Sequence, residues 1–341
     1  MTADPTFRES EDALLARAAA FPEFRFLSDL NAETLRKIST THGVDFATAL
    51  LYDRVNRSPQ HAAFINRIDH AERLPPEVTS QNITVAVAPA AFYKEAPNSG
   101  ADGKLILEEA RRLELRAELI PSSSTGTLAE NSAIIHHWLA NREGEKIILV
   151  SLCKGGADVK FALGQPNNRE TFRRVSSWIN ICGTLNGSPI AEWLLAFKPR
   201  FFMAWLACRC RGHDINFVRE LQPAPQSALS QPLHLPAPMR LVNIVGFPLK
   251  RHLTNRFMRL CYQRISPFGP NDGGVLLADA CSLPGLLYPI WGADHYLRPE
   301  PRARRIISTV LNFLATPDNR EKPPSRTEIP AIDRTAQTSS V

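Results

Sequence analysis

The sequence predicts an α/β fold, with a mostly parallel, doubly wound sheet, a helical N-terminal extension and a helical insertion. Two observations lead to this class. Short runs rich in valine and isoleucine show little polar and apolar alternation, which is typical of strands covered by helices on both faces. Helical patterns separate most of these runs, and a strand, helix, strand rhythm of this length indicates right-handed crossovers between parallel strands.

The N-terminal part of the chain has helical periodicity and no strand-like run. From about residue 11 to residue 70 apolar residues recur at helical spacing, as in the segment from Asp45 to Val55. Leu74-Pro75-Pro76 then marks a boundary, because adjacent prolines end regular structure. We therefore predict a helical extension over residues 1–75 and an α/β domain over residues 76–317.

The elements of the α/β domain follow in order from its apolar runs. The strands are predicted at Ile83 to Pro89, Ala117 to Pro121, Lys146 to Cys153, Val175 to Cys182, Met239 to Phe247 and Leu286 to Trp291. The helices between and after them are predicted at Asp102 to Leu113, Leu128 to Asn141, Gly155 to Leu163 and Arg302 to Ala315.

Two further segments complete the domain organisation. Residues 188–238 separate the fourth predicted strand from the fifth, opening with an aromatic-rich helix and ending in a proline-rich stretch. A cap or lid is the usual reason for so long an insertion. Residues 318–341 are rich in Pro, Ser, Thr, Arg and Glu and poor in apolar residues, which predicts a disordered tail.

The composition excludes several classes of protein. Of the 341 residues, 44% are hydrophobic and 22% are charged, as in soluble globular proteins. The net charge of +6 comes from basic residues that are spread along the chain, so we predict no nucleic-acid partner. The most apolar segment, Ala191 to Cys208, is interrupted by Lys198 and Arg200 and is too short to span a membrane.

The remaining global features concern location and cofactors. The N-terminus lacks a basic region followed by an apolar core, so a cytoplasmic location is expected. Six scattered cysteines are expected to be reduced thiols. No cofactor is predicted, because no glycine-rich phosphate loop or dinucleotide fingerprint is present. No metal is predicted either, since Cys208, Cys210 and His213 lack a second ligand pair. The oligomeric state is left open.

The segment KIILVSLCKGGADVKFAL reads as a buried strand, a sharp turn and a helix, with Cys153 at the turn. In a nucleophile elbow the central residue has strained backbone geometry, so the residues two before and two after it must be small. Ser151 and Gly155 meet this requirement. A helix N-terminus beside Cys153 would favour its thiolate. The alternative is an ordinary strand-to-helix turn with a buried cysteine.

Beyond this motif, residues 83–313 resemble the α/β-hydrolase superfamily, especially lipases and GPI-inositol-deacylase-like esterases whose elbow reads G-H-S-K-G-G. VSLCKGGADV is similar to that elbow, and INICGTLNGSPIAEW resembles the block that commonly reads T-P-x-x-G-S-P. Three positions depart from the pattern. Cys153 replaces serine, Ser151 replaces the leading glycine, and Ala90 replaces a glycine.

The resemblance implies an acid and a histidine that follow the nucleophile in the chain. Asp272, in PFGPNDGGVLLAD, resembles the acid block, although the same residues would also form a good turn. His295, in LLYPIWGADHYLRP, follows the last predicted strand, where the histidine is expected; a solvent-exposed loop histidine is the alternative. Asp294 competes as the acid, but adjacent side chains rarely point at each other.

The remaining site residues follow from the same resemblance. The oxyanion hole would use the backbone N–H of Lys154 and that of Ala91, with Phe92 next, from the loop Pro89 to Tyr93. In the lid, aromatic residues recur every four positions, and Pro199 is expected to kink their helix. Phe92, Trp193, Phe197 and Phe201 are the predicted substrate-binding residues. Packing of the aromatic residues on the domain core is the alternative.

These residues imply an acyl hydrolase, of esterase, thioesterase or lipase type, that acts through a Cys153, His295, Asp272 triad and an acyl-enzyme. A thiolate is also a good leaving group, so thioesters and other activated acyl donors are favoured over ordinary esters. The expected partner is a small-molecule or lipid-like acyl substrate. Two alternatives stay open. One is an acyltransferase similar to polyhydroxyalkanoate synthases, which also place cysteine at the elbow, and the other is a non-catalytic homologue that binds a partner.

Overall fold

The computed structural model describes residues 9–72, 82–97, 99–142, 144–299 and 301–316. The strands are β1 Ile83–Ala88, β2 Arg116–Leu119, β3 Lys146–Leu152, β4 Val175–Ile181, β5 Arg240–Phe247 and β6 Leu286–Trp291. The helices are α1 Glu11–Ala20, α2 Ala32–His42, α3 Val44–Arg57, α4 Ala62–Ala71, α5 Lys104–Arg112, α6 Leu128–Ala140, α7 Lys154–Gly164, α8 Arg169–Phe172, α9 Pro189–Leu195, α10 Lys198–Arg209, α11 Phe217–Glu220, α12 Arg256–Ile265, α13 Leu277–Cys281 and α14 Arg302–Ala315.

The strands form one sheet in the order β2-β1-β3-β4-β5-β6, and every neighbouring pair is parallel. This confirms the predicted parallel α/β sheet. Successive side chains of a strand point to opposite faces, and in β3 Ile147 and Leu149 join one apolar cluster whereas Ile148 and Val150 join the other. Both faces are therefore buried, which explains why the strands read as continuous apolar runs.

The N-terminal helices α1 to α4 belong to the larger of the two apolar clusters, together with α5 and α14. Phe46 and Leu50 of α3 are fully buried there. Buried Arg54 donates hydrogen bonds to the carbonyl oxygens of Phe24, at 2.7 Å, and Phe21, at 2.9 Å, tying α3 to the loop after α1. The predicted boundary at Leu74-Pro75-Pro76 and the predicted tail over residues 318–341 lie outside the described residues.

The insertion over residues 188–238 contains α9, α10 and α11. Helix α9 ends at Leu195, and α10 begins at Lys198 with Pro199 in its first turn, where proline is tolerated. The break divides the expected aromatic stripe, with Trp193 on α9, Phe201 and Trp205 on α10, and Phe197 between them. Within the described parts of the chain, no helix has both the length and the apolar character that crossing a membrane requires.

Candidate active site

Cys153 lies between the end of β3 and the start of α7. Its backbone has φ 48° and ψ −116°, a conformation that a residue with a side chain rarely adopts and that marks functional turns. Gly155 makes the turn possible, because a Cβ there would lie 2.4 Å from the carbonyl oxygen of Ala88. The local geometry is therefore that of an elbow, which places Cys153 at the carboxyl edge of the sheet and at the N-terminus of α7.

Ser151, which departs from the family pattern, is accommodated by a buried polar network below the elbow. Its hydroxyl accepts a hydrogen bond from the indole N–H of Trp178 at 2.8 Å and donates to Asn180 Oδ1 at 3.3 Å. The Asn180 amide donates in turn to Asn243 Oδ1 at 3.0 Å. Every member of this network has a hydrogen-bond partner, so burial of these polar groups is not penalised. The network can therefore hold β3, β4 and β5 rigidly together.

His295 and Asp272 form a buried hydrogen-bonded pair. His295 Nδ1 lies 3.0 Å from Asp272 Oδ2, and both side chains are at most 3% exposed. The other carboxylate oxygen, Oδ1, accepts the amides of Gly274 and Val275 at 2.8 Å each. These bonds fix the carboxylate and favour the imidazole tautomer that carries its proton on Nδ1.

Asp294, the competing acid in the sequence, has a different role. Its Oδ1 accepts the backbone amides of Tyr296 at 2.8 Å and Arg298 at 2.9 Å, so it shapes the loop that carries the histidine. Gly246 of β5 allows this loop to approach the sheet, because a Cβ there would lie 2.4 Å from the carbonyl oxygen of Ala293. The structure thus pairs His295 with Asp272 and uses Asp294 as a loop cap.

The Cys153 and His295 side chains interact electrostatically. Burial lowers the pKa of the His295 imidazole, but the charge of Asp272 and that of Cys153 raise it, and the net pKa lies well above the usual value. His295 Nε2 is buried and has no hydrogen-bond partner among the described residues. The protonated form of His295 is therefore stabilised by the groups beside it.

Two backbone amides are available for an oxyanion. The amide of Lys154 belongs to the first residue of α7, where an N–H has no intrahelical acceptor. In the loop after β1, Ala90 donates to the Ala101 carbonyl at 2.9 Å and Phe92 donates to the Ser124 carbonyl at 3.0 Å. Between them the Ala91 amide has no acceptor among the described residues, which favours Ala91 over Phe92 as the second donor.

The Lys154 side chain is almost fully buried, although lysine is usually exposed. Its Nζ lies 2.6 Å from Asp158 Oδ1 and 5.3 Å from the centre of the Phe217 ring in the lid. Burial raises the pKa of Asp158 to about 6 although Lys154 acts in the opposite direction. The pair links the first turn of α7 to lid helix α11.

Sequence reasoning missed Cys182, which follows β4. Its sulfur, an oxygen of Asp272 and a nitrogen of His295 lie within 4.8 Å of one another, and all three residues are buried. Burial and the Asp272 charge raise the pKa of the Cys182 thiol well above its usual range, which disfavours the thiolate that metal ligation requires. A neutral thiol beside the carboxylate is the state that this environment favours. The signal in the sequence is that Cys182, like Cys153, ends a predicted strand of the parallel sheet, whose carboxyl ends lie at one edge.

The predicted substrate-binding residues of the lid lie in different environments. Phe201 packs on the lid core beneath Arg219, whose guanidinium is 4.6 Å from its ring centre. Trp193 lies between the guanidinium groups of Arg200, at 4.0 Å, and Arg264, at 5.4 Å. Phe197 is 54% exposed. Phe92 packs edge-on against Phe217 at 5.8 Å.

A mostly apolar cavity of about 370 Å³ lies beside the loop that follows His295. Its lining includes Leu152, directly before Cys153, and Tyr296, directly after His295. The Tyr296 ring meets the His295 ring edge-on at 5.2 Å. Leu105, Ile106, Ile181 and Leu297 add further apolar lining, and Arg298 and Arg304 also line the cavity. A volume in this range is typical of a small-molecule pocket.

Comparison with known proteins gives structural matches. No protein-family model and no curated protein matched the sequence. The structure of the metagenomic carboxyl esterase MGS0156 matches with a TM-score of 0.56 and 21% identity, over 71% of this chain and 78% of that chain. The mature lipase BlEst2 of Bacillus licheniformis gives a TM-score of 0.47 at 21% identity, over 70% of this chain and 91% of that chain. Phospholipase PlaB of Legionella pneumophila gives 0.49 at 13% identity, over 70% of this chain and 60% of that chain.

Proposed function

We propose that this chain, which has the α/β-hydrolase fold, is an acyl hydrolase in which Cys153 is the nucleophile, His295 the general base and Asp272 the acid that orients the histidine. The observation that carries the proposal is the strained φ of 48° at Cys153, together with the electrostatic effect of Cys153 on a histidine that is hydrogen-bonded to a buried carboxylate. Strain of this kind costs on the order of 1–3 kcal/mol and is retained where function requires it.

In the acylation step, His295 Nε2 takes the proton of the Cys153 thiol, and the sulfur attacks the acyl carbonyl carbon. The amides of Lys154 and Ala91 donate hydrogen bonds to the oxygen that becomes negatively charged. Collapse of the tetrahedral intermediate breaks the bond to the leaving group, which takes the proton from His295. Asp272 stabilises the imidazolium throughout without accepting its proton.

In the deacylation step, His295 removes a proton from water, and the resulting hydroxide attacks the carbonyl carbon of the acyl-cysteine. The carbon–sulfur bond then breaks, and the sulfur recovers the proton from His295. Water is the acceptor in this proposal. Substitution of an alcohol or a thiol for water would give an acyltransferase with the same residues in the same roles.

The substrate class follows from the nucleophile and from the adjoining cavity. A thiolate expels another thiolate readily but an alkoxide less so, which favours thioesters and activated esters. The apolar cavity of about 370 Å³ suits the hydrocarbon part of a short acyl chain, since apolar ligands are bound by removal of apolar surface from water. Leu152 and Tyr296 of its lining are the chain neighbours of Cys153 and His295.

The test is reaction with a short-chain acyl thioester, followed by rapid acid quench and mass mapping of the acylated cysteine. We expect acylation at Cys153 and steady release of free thiol. Cys153→Ala should abolish both, by about a thousandfold or more in turnover. Cys210→Ala is the matched control, because Cys210 is an exposed thiol outside the proposed site.

Two outcomes would contradict the proposal. Equal acylation of Cys210 and Cys153 would indicate ordinary thiol reactivity in place of a nucleophile activated by His295. Full turnover by Cys153→Ala would show that another residue performs the chemistry. A stable acyl-cysteine that is released only on addition of an alcohol or a second thiol would replace hydrolysis by acyl transfer.

A further inference from the structure

The described part of the chain concentrates its exposed apolar side chains in two places. Eight large hydrophobic residues are classed as exposed, and four of them lie on or beside α10 of the lid and three on α12 or the turn after it. The lid set is Phe197, Phe202, Met203 and Leu206; the other is Phe257, Leu260 and Phe268. Single exposed apolar residues need no explanation, but a concentration of them marks an interaction site.

The same two helices carry positive charge and no negative charge. From Phe197 to Gly212 the sequence has four basic residues and no acidic one, and from Asn255 to Phe268 it has three basic residues and no acidic one. Among the described residues, none of these seven cations forms an ion pair with a carboxylate. Arg200, Arg211 and Arg259 donate hydrogen bonds to backbone carbonyls, and Arg200 and Arg264 lie over the Trp193 ring. Among the described residues, Lys198, Arg209 and Arg256 are the three cations without such contacts, and they are available to an anionic partner.

Both helices adjoin the proposed active site. Helices α10 and α12 each contact α9, and Arg200 of α10 and Arg264 of α12 flank the same Trp193 ring. At the start of α9, the Ser188 hydroxyl donates to the carbonyl oxygen of Gly274 at 2.6 Å, in the loop that carries Asp272. A partner that covers α10 and α12 would therefore lie near the loop that carries Asp272.

We propose that α10 and α12 form a docking surface for an anionic lipid bilayer, with the exposed aromatic and aliphatic side chains inserted at the headgroup level. The combination of basic residues with Phe, Met and Leu on short surface helices is what interfacial membrane binding requires. Each cation near an anionic surface adds attraction, and each inserted apolar side chain adds burial. Association of two copies through this surface is disfavoured, because a symmetric contact would bring cations of both copies together.

The experiment is flotation of the full chain with vesicles of phosphatidylcholine alone or with about a quarter phosphatidylglycerol. We expect binding to the mixed vesicles, a marked loss on raising salt to about 0.5 M, and much weaker binding to phosphatidylcholine alone. Phe202→Ser with Met203→Ser should reduce the partition coefficient about tenfold. Lys198→Ser with Arg209→Ser should give a loss of similar size.

Phe26→Ser is the matched control, because Phe26 is 68% exposed but lies in the N-terminal extension. It should bind like the unaltered chain. The proposal is overturned if Phe26→Ser loses as much binding as the lid variant, if binding is equal for neutral and anionic vesicles, or if vesicles are not bound. The chain could instead form a concentration-dependent dimer in light scattering and not bind vesicles. If the variants on α10 abolish that dimer, the surface would be assigned to a second copy of the chain.

Vesicle binding is measured without turnover, so it does not depend on the proposed chemistry. The same preparations are assayed on a water-soluble thioester, where Phe202→Ser with Met203→Ser should retain the rate of the unaltered chain. Membrane binding by Cys153→Ala with no turnover would support the docking surface independently of the catalytic proposal. Turnover without vesicle binding would leave the catalytic proposal standing and remove this one.

Discussion

The carboxyl edge of the sheet and the lid insertion differ in how their side chains are held. At the sheet edge Asp272 and Ser151 are fully buried, and each of their polar groups has a hydrogen-bond partner. In the lid, α10 has no buried residue and exposes Phe202 and Met203. The difference separates a rigid region suited to chemistry from a surface whose apolar area is still available for binding.

The largest effect should come from Asp272, the proposed acid at the sheet edge. Asp272→Asn removes the charge that stabilises the His295 imidazolium and should lower turnover by about 10²–10⁴-fold. The matched control is Asp294→Asn, which keeps a side-chain oxygen for the amides of Tyr296 and Arg298 and should retain most activity. Initial rates on a thioester measure both, and a reversed ranking would assign the acid to Asp294.

The next effect concerns the buried ion pair beneath the elbow. Asp158→Ala leaves the Lys154 ammonium buried without its carboxylate, which should lower the free energy of unfolding by about 3–5 kcal/mol. Glu170→Ala removes the exposed Arg173 to Glu170 pair, whose side chains are 68% and 77% exposed, and should change it by less than about 1 kcal/mol. Urea denaturation compares them. If both variants lose the same free energy of unfolding, the buried ion pair of Lys154 contributes no more to stability than an exposed one.

The third effect tests the close approach at the elbow. In Gly155→Ala the new methyl group would meet the carbonyl of Ala88 at 2.4 Å, so the free energy of unfolding should fall by about 1–3 kcal/mol. Gly164→Ala, at the other end of α7, meets nothing within 4 Å and should be neutral or slightly stabilising. Chemical denaturation of both variants decides, and a neutral Gly155→Ala would contradict the elbow packing.

A smaller effect should appear in the pH dependence of stability. Because the pKa of His295 is raised above its usual 6.5, protonated His295 stabilises the fold fully below that pH, and this contribution is lost as pH rises through the raised value. The free energy of unfolding should fall by at most about 1.4 kcal/mol for each pH unit in this range. His295→Gln should lack this loss in urea titrations above pH 6.5. Identical profiles for the variant and the unaltered chain would contradict the coupling.

The smallest effect is expected in the lid surface. Phe202→Ser with Met203→Ser should change the free energy of unfolding by less than about 0.5 kcal/mol, because exposed substitutions remove little packing. Phe217→Ala, in the same insertion but only 3% exposed, should cost about 3–5 kcal/mol. Thermal denaturation compares the two. A large loss of stability in the Phe202→Ser, Met203→Ser variant would mean that these exposed side chains make stabilising contacts.

The sequence predicted the regular elements because their signals are local. The six strands lie within two residues of their predicted bounds, since a parallel strand buried on both faces is a continuous apolar run. The parallel sheet and the α/β-hydrolase fold are confirmed. The triad, the oxyanion donors and the substrate-binding residues stay predictions.

The break in the lid was predicted in part. Pro199 indicated a kink, but one aromatic stripe was expected to pass through it, whereas the structure has two helices and leaves Phe197 exposed. Proline fixes its own backbone angle and lacks an N–H, which the sequence shows. The direction in which the second helix leaves depends on what each helix packs against, and the sequence does not show that.

The amino-acid sequence by itself determined where strands and helices form and which residue stands at the turn after β3, because periodicity and small neighbours are properties of adjacent residues. Only the tertiary structure decided that Asp272 rather than Asp294 meets His295, that Cys182 joins them, and that Lys154 is buried against Asp158. These contacts join residues that come together only when the sheet is assembled, and burial, which sets their charges, exists only in the folded chain.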